Sequence, residues 1–544
     1  MKPKDLRELG ERLFTKRAPL VSLWQEQAEN FYPERADFTV SRCIGEDFAA
    51  NLMTSYPIIV RRDLGDAFST MMRDGEWFQT ATDIDDEELD NDSRAWLQWA
   101  TRTQRNAMYD PVAKFDRATK EGDHDYAGFG QNVISCEFNR RKTTLLYRCW
   151  HLRDVVWFEN DEGDVAGVMR RWKPTARDLV RMFGDKVHAN IKKAMTQSKP
   201  DPFKEFPVMH IVVEADLCDD EKYRTPYVSI YYDIEHDCVI EKAPVWTLIY
   251  NVARWQTVSG SQYANSPATV AALPEARLLQ AMTLTLLEAG EKANNPPMIG
   301  VAEAFRSDMQ LFAGGFTAVD AAYDERLGEV LRPLNPNKSD VRLGMEMVRD
   351  SRSMIAEAFY LNKLSLPHRA PEMTAYEVGQ RVQQWIRDAA PLFRPTEMSY
   401  NGGICSLTFE TLYRNGGLGS VFDMPRQLRG ADIRFRFQSP LHEAIERKKA
   451  GTFMEAKAML AEAVAIDPAC RHMLKAPIML RDALNGIGVP ARWQAPDVEV
   501  EQGRAQDAAQ AEAAQLLAKM QQGADVADTI ASAQKQRMEA MAQA

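Results

Sequence analysis

A histidine between two aspartates in a glycine-rich setting, Glu121-Gly-Asp-His-Asp-Tyr-Ala-Gly-Phe-Gly130, is the stretch whose residue types best suit acid–base or metal chemistry. Imidazole titrates near neutral pH, and carboxylates beside it orient it or share a cation with it. The spacing matches no known ligand set, however, and a polar turn with a surface histidine explains the same residues. Gly314 and Gly315 would let a phosphate approach the backbone, but no lysine-bearing helix follows them, so a hairpin turn is the better reading. The run from Asp83 to Asp92 is largely acidic; it would attract cations or form a solvated face. Trp150, Trp157 and Trp255 would stack on bases if exposed, yet strand-borne aromatics more often fill cores or interfaces.

The spacings that carry common catalytic chemistry are missing. There is no Gly-x-x-x-x-Gly-Lys-Ser/Thr phosphate loop, no His-Glu-x-x-His, no Gly-x-Ser-x-Gly elbow and no paired Cys/His metal pattern. The expectation is therefore no catalytic residue, no cofactor and no metal. Seven scattered cysteines without Cys-x-x-Cys pairs read as reduced packing residues. A formal charge of -11 opposes general affinity for nucleic acid, because tight non-specific binders clamp phosphates with a Lys/Arg surplus. No stretch approaches the roughly 18 uninterrupted apolar residues of a membrane helix, and the start is charged, so a soluble protein made in a cytoplasm is expected.

The elements that would position these residues follow from periodicity. At 544 residues the chain should hold about three or four compact units. Leu6, Leu9 and Leu13, then Leu20, Leu23, Trp24, Ala28 and Phe31, fall at helical spacing, with Pro19 and Pro33 as punctuation. Helices are also expected near Asp63–Met72, Trp96–Arg105 and Asp110–Glu121. From Thr143 the pattern turns to β: Leu145–Leu152, Val155–Phe158, a turn at Asn160–Gly163 and Val165–Trp172 form an antiparallel meander, resumed at Val208–Val213, Tyr227–Tyr232 and Val245–Val252. Thr175 caps a short helix that Gly184 ends. Two helices of about 20 residues follow, Pro274–Ala293 and one from Ser339 or Asp340 to Tyr360, each spanning roughly 30 Å. Between them lie strand-like pieces at Met298–Val301, Phe316–Val319 and Val330–Leu331. A third helix is capped by Thr374, Ile433–Phe437 alternates like a strand, and helices return from Pro440. The tail beyond Val498 is rich in alanine and glutamine.

Gly260-Ser-Gln-Tyr-Ala-Asn-Ser-Pro267, then Ala272-Leu-Pro274, a long helix and Asn294-Asn-Pro-Pro297, resemble the stretch leading into the stem of podophage-type head-to-tail connecting, or portal, proteins of bacteriophages. Met373-Thr-Ala-Tyr-Glu-Val378 with Arg381, Trp77-Phe78, Phe129-Gly130 and Ile433-Arg-Phe-Arg-Phe-Gln-Ser-Pro-Leu441 resemble further segments of that family in the same order, from about Leu20 to Gln510.

That resemblance implies a predominantly helical α+β fold with portal architecture and no enzyme activity. Its parts would be a wing over 1–265, a first stem helix over 266–293, a clip over 294–338 and a second stem helix over 339–361. A channel loop over 362–373, a long helix returning to the wing over 374–439, a crown over 440–500 and a helical or disordered tail over 501–544 would complete it. The implied assembly is a homo-oligomeric ring, usually a dodecamer, at the capsid vertex of the virion, formed in the host cytoplasm. The implied partners are the terminase large subunit, tail and adaptor proteins, capsid and scaffolding proteins, and double-stranded DNA passing during packaging and ejection; no membrane is involved. Twelve copies at -11 sum to roughly -130 charges, which keeps DNA from adhering. On the loop, Lys363, His368 and Arg369 are the candidates for transient phosphate contacts. Leu278, Leu279, Met282, Leu284, Leu286 and Leu287 occupy more than one face of the first long helix, as contact with neighbours on two sides requires. The alternatives are a metal-dependent phage DNA-processing enzyme and a monomeric structural adaptor.

Overall fold

In a computed structural model, residues 1–300 are described apart from short gaps at 44, 74, 85–88, 197–199, 219–223 and 295–297. Also described are 331–333, 341–364, 394–437 apart from 421, 453–463 and scattered positions beyond 478. The chain is a mixture of helix and sheet divided into two compact units, one built from Met1–Trp77 with Asn106–Asn415, the other from Phe78–Arg105 with Gly416–Ala544.

The first unit is organised on a five-stranded antiparallel sheet whose strands are neighbours in chain order: β4 (Val155–Glu159), β5 (Val165–Trp172), β6 (Val208–Glu214), β7 (Tyr227–Asp233) and β8 (Cys238–Val245). Side chains alternate between its faces. Val156, Met169, Ile211 and Val213 face one way, against Leu6 of α1 (Pro3–Lys16). Val155, Trp157, Val168 and Val212 face the other, packed with Trp24 and Ala28 of α2 (Ala18–Phe31). Gly10 is where α1 comes closest to the sheet: a methyl group there would lie 2.7 Å from the Met169 sulfur. A second cluster seals the sheet edge with α6 (Ala176–Phe183) and α7 (Ala189–Thr196) through Leu179, Ile191 and Phe206. As expected, Thr175 caps α6 by accepting from the Asp178 N–H, and Gly184 ends it with a positive φ.

A second sheet of this unit has the order β3–β2–β9, with β2 (Gln131–Phe138) between β3 (Leu145–Cys149) and β9 (Tyr250–Arg254). Against it lies α5 (Phe115–Phe129), and α3 (Tyr56–Met72) packs on α5. Helix α5 departs from the sequence reading: it runs through Glu121–Phe129, where a polar turn was expected, and ends at Gly130 in the left-handed region. Gly122 sits inside the helix, where its missing side chain lets neighbours close in: a methyl group there would lie 2.7 Å from the Tyr400 hydroxyl.

The two long helices are α8 (Leu273–Asn294) and α9 (Val341–Ala358). At 1.5 Å per residue they span about 33 and 27 Å. They pack on each other, and beyond them Met298–Gly300 (β10) pairs antiparallel with Leu331–Pro333 (β11). The strand expected at Phe316–Val319, Gly314 and Gly315, and the third helix from Thr374 lie outside the described residues. After a short helix α10 (Leu361–Leu364), α11 (Gly403–Arg414) completes the unit.

In the second unit, β1 (Phe78–Thr82) pairs antiparallel with β12 (Ile433–Phe437), Phe78 opposite Phe437 and Thr82 opposite Ile433. Helix α4 (Asn91–Met108) buries Leu97 and Ala100, and its Thr101 hydroxyl accepts from the Thr80 N–H of β1.

Candidate assembly surface and its anchorage

Tyrosine and arginine side chains around α5 tie the roots of the long helices to the core. Two π-helical turns, the wide form that recurs at functional positions, bracket the part of the chain that holds the long helices. Ala268–Ala272 leads into α8, and Thr396–Gly402 leads into α11 where the chain returns. Both reach α5: the Ser266 hydroxyl donates to the Gly128 carbonyl at 2.8 Å, and the Tyr400 hydroxyl donates to the Thr119 carbonyl at 3.1 Å. Arg73, buried at the end of α3, donates to the Asn401 side-chain oxygen at 3.0 Å and forms an ion pair with Asp123 of α5. Burial opposes the guanidinium charge, but Asp123 beside it more than offsets that and holds Arg73 protonated.

The Asp-His-Asp motif is thus committed to structure. Asp123 faces Arg73, and Asp125 accepts two bonds from Arg35 at 3.0 and 2.7 Å. Between them His124, whose pKa burial lowers, lies with Nε2 3.6 Å from Asp66. The tryptophans are also internal rather than a platform for bases. Trp255 stacks on Tyr126 with centroids 5.2 Å apart, Trp157 donates to the Gln262 carbonyl, and Trp150 lies under Arg170 at 3.7 Å. Arg73, Tyr400 and Asn401 were missed from sequence; the only signal was an arginine at the end of an otherwise apolar helix face.

Above these roots the long helices leave the core. Along α8, Leu273, Ala276 and Leu279 are buried, and Gln280 accepts from the Met53 and Thr54 N–H groups. Phe359 just after α9 packs on Phe31 at 5.4 Å, and Arg277 pairs with Glu26. Farther out burial stops: Leu284 and Leu287 are 42% and 53% exposed. By length and composition Ala268–Lys292 is apolar enough to cross a membrane. Its first half packs on α2 and on the Met53–Thr54 backbone, and its outer leucines are left exposed.

On α9 a single stripe, Gly344, Val348, Ser351, Ile355 and Phe359, is at least partly buried. Gly344 lets the helices touch, since a methyl group there would lie 2.7 Å from a Leu286 methyl carbon. Because α9 also touches the Ala268–Ala272 turn, the pair is antiparallel. Beside that stripe runs another, Leu343, Met347, Asp350 and Met354, at spacings of four, three and four residues, the period of a helix–helix seam. Its Leu343, Met347 and Met354 are 57%, 48% and 47% exposed. With Leu286 level with Gly344, Leu343 stands at the height of Leu287 and Met347 close to that of Leu284.

Of the loop residues singled out from sequence, the backbone of Lys363 lies in α10, while its side chain, His368 and Arg369 lie outside the described residues. Among the described residues, no group of three or more His, Cys, Asp or Glu side chains is arranged to hold a metal.

Residues 3–494 match the model of the bacteriophage head to tail connecting protein family. The chain belongs to that family. Among its relatives is the probable portal protein of Bordetella phage BPP-1, 23% identical over 545 residues that cover 97% of this chain and 95% of that protein. The portal protein of Salmonella phage epsilon15 is 21% identical over 380 residues, 68% of this chain and 67% of that one. A chain from the virion of a native gene transfer agent particle superposes over 77% of this chain and 91% of its own with a TM-score of 0.33 and 9% identity, too loosely to bear on the fold.

Proposed function

We propose that this chain is the portal subunit of a tailed phage, assembling head-to-tail into a ring through which the genome enters and leaves the capsid. The observation that carries the reading is the pair of matched seams. Leu284 and Leu287 on α8 and Leu343 and Met347 on α9 are exposed at matching heights on two flanks of one antiparallel pair. A rotation about an axis along the pair brings the α8 flank of one subunit against the α9 flank of the next, and repetition closes a ring. Family membership and the two portal relatives support it.

In this reading the α8/α9 pair is the stem, and the segment between β10 and β11 is the clip that meets the packaging ATPase and later the tail proteins. The first half of the chain is the wing, and 440–500 the crown. Lys363, His368 and Arg369 line the channel and touch phosphates in passing. Twelve subunits is the expected ring. The net charge of -11 per chain suits a conduit, because many fixed cations would hold the duplex. ATP hydrolysis belongs to the motor.

Negative-stain imaging of purified protein, with its mass measured by light scattering, tests the proposal. Rings with a central hole at a mass near twelve chains are expected. A single-chain mass under capsid-assembly conditions, or metal-dependent nicking of plasmid DNA by the pure protein, would overturn it.

A further inference from the structure

Asp90 and Asp92, which close the acidic run, take no part in the α8/α9 pair and line a groove in the second unit. The groove has a volume of about 670 Å³ and lies between the start of α4 and the loop 422–429. Its floor and wall are aromatic: Trp96 and Trp99 lie one helical turn apart with ring centroids at 6.1 Å, and Phe422 and Met424 face them from the loop. Trp99 is 44% exposed and Phe422 83%, a large apolar area to leave in water.

This shape is built rather than incidental. The Gln427 side-chain oxygen accepts from the Asp90 N–H at 3.1 Å, joining the loop to the helix. Asp90 in turn caps α4 by accepting from the Ser93 N–H at 2.8 Å. Arg429 donates to the carbonyls of Met424 and Phe422, both at 2.9 Å, which fixes the loop and commits that guanidinium to backbone. The carboxylates Asp90, Asp92 and Asp423 rim the aromatic floor, with Arg426 the remaining cation.

We infer that this groove docks a basic segment of another protein, a stretch in which lysine or arginine alternates with apolar side chains. The apolar side chains would cover Trp99 and Phe422, and the cations would sit over the indole faces and beside the carboxylates. Cation–π attraction and charge pairing reinforce each other there, since both favour a cation at an electronegative aromatic face. Nucleic acid is disfavoured on the same ground, because its phosphates would meet the acidic rim. The inference is independent of ring formation, which uses the other unit.

The test is binding of a fluorescein-labelled peptide alternating lysine with leucine to the full-length protein, read by anisotropy, against the same peptide carrying glutamate for lysine. The lysine peptide should bind, lose affinity as salt is raised, and bind at least tenfold more weakly to the Trp99→Ala/Phe422→Ala double variant. Both side chains are exposed, so the variant should keep the parent Tm. Neutralising Asp92 and Asp423 to asparagine should weaken binding severalfold with the aromatics intact. Equal binding of the glutamate peptide, or unchanged affinity in the double variant, would overturn the inference. So would loss of self-association, measured by mass, in the double variant, since that would make a second copy of this chain the occupant.

Discussion

Arg73 and Asp123 form an ion pair with side chains 4% and 1% exposed, joining the end of α3 to the middle of α5 directly beside Asn401 and Tyr400. A buried pair stabilises little relative to an apolar replacement of both partners, but removing one partner strands the other charge. Arg73→Met should therefore cost about 3–5 kcal/mol in urea unfolding. The Arg73→Met/Asp123→Leu double variant should recover a large part of that loss. Equal stability of the single variant and the parent would show that the pair holds nothing.

Gly130 and Gly163 share a left-handed backbone, with φ of 74° and 87°, but not the same surroundings. A methyl group on Gly130 would lie 2.4 Å from the Asn265 backbone, whereas nothing lies within 4 Å of one on Gly163. Gly163→Ala should cost roughly 1 kcal/mol from backbone strain alone. Gly130→Ala should cost roughly 2–4 kcal/mol, adding overpacking where the Ser266 segment closes on α5. Denaturant midpoints of the two variants give the comparison.

His210 is fully buried in β6, its ring nitrogens 2.5 Å from the Tyr250 hydroxyl and 2.8 Å from that of Ser229. Burial holds its pKa well below 6.5, and Arg170 nearby adds to this. The unfolded chain therefore takes up the proton first, so this contribution to stability is complete above about pH 6.5 and declines as pH falls below it. The slope approaches about 1.4 kcal/mol per pH unit for one group. Tm measured between pH 7.5 and pH 5 should fall more steeply for the parent than for His210→Asn; parallel curves would exclude the histidine.

Leu287→Glu places a charge in the outer half of α8, where the side chain is 53% exposed. The variant should keep the parent Tm, because little of the intramolecular core is touched. Its mass in light scattering should drop from that of a ring to that of one chain or a few. Rings that persist unchanged would place the seam elsewhere.

Lys363→Ala/Arg369→Ala removes two cations, one on α10 and one beyond it, from the segment proposed to face the channel. Rings should form normally, while packaging or retention of DNA changes severalfold; unchanged packaging and retention would remove the loop from the DNA path.

Much of the scaffold was legible because its strands alternate. Val155–Glu159 and Val165–Trp172 carry β-branched and aromatic residues on both faces of a sheet, and both were expected almost to the residue. Strand β2, Gln131–Phe138, was not, because Gln131, Asn132, Ser135 and Glu137 break its apolar run although most of the strand is buried. The extent of α5 was hidden by Gly122 and Gly128, which weaken a helix by propensity; at Gly122 the closeness of Tyr400 needs the missing side chain. The long helices were read nearly to their ends, and the apolar residues on more than one face of α8 were noted. Which of those residues stay bare was not visible, since Leu279 and Leu287 differ only in what the fold brings over them. The wide turns at Ala268–Ala272 and Thr396–Gly402 have no compositional mark.

Those two turns meet one helix, so the chain leaves the unit toward α8 and rejoins it before α11 at one place. A segment mounted that way is interchangeable in principle: its length and tip could be altered, by selection or by grafting, without reopening the β-sheet core beneath.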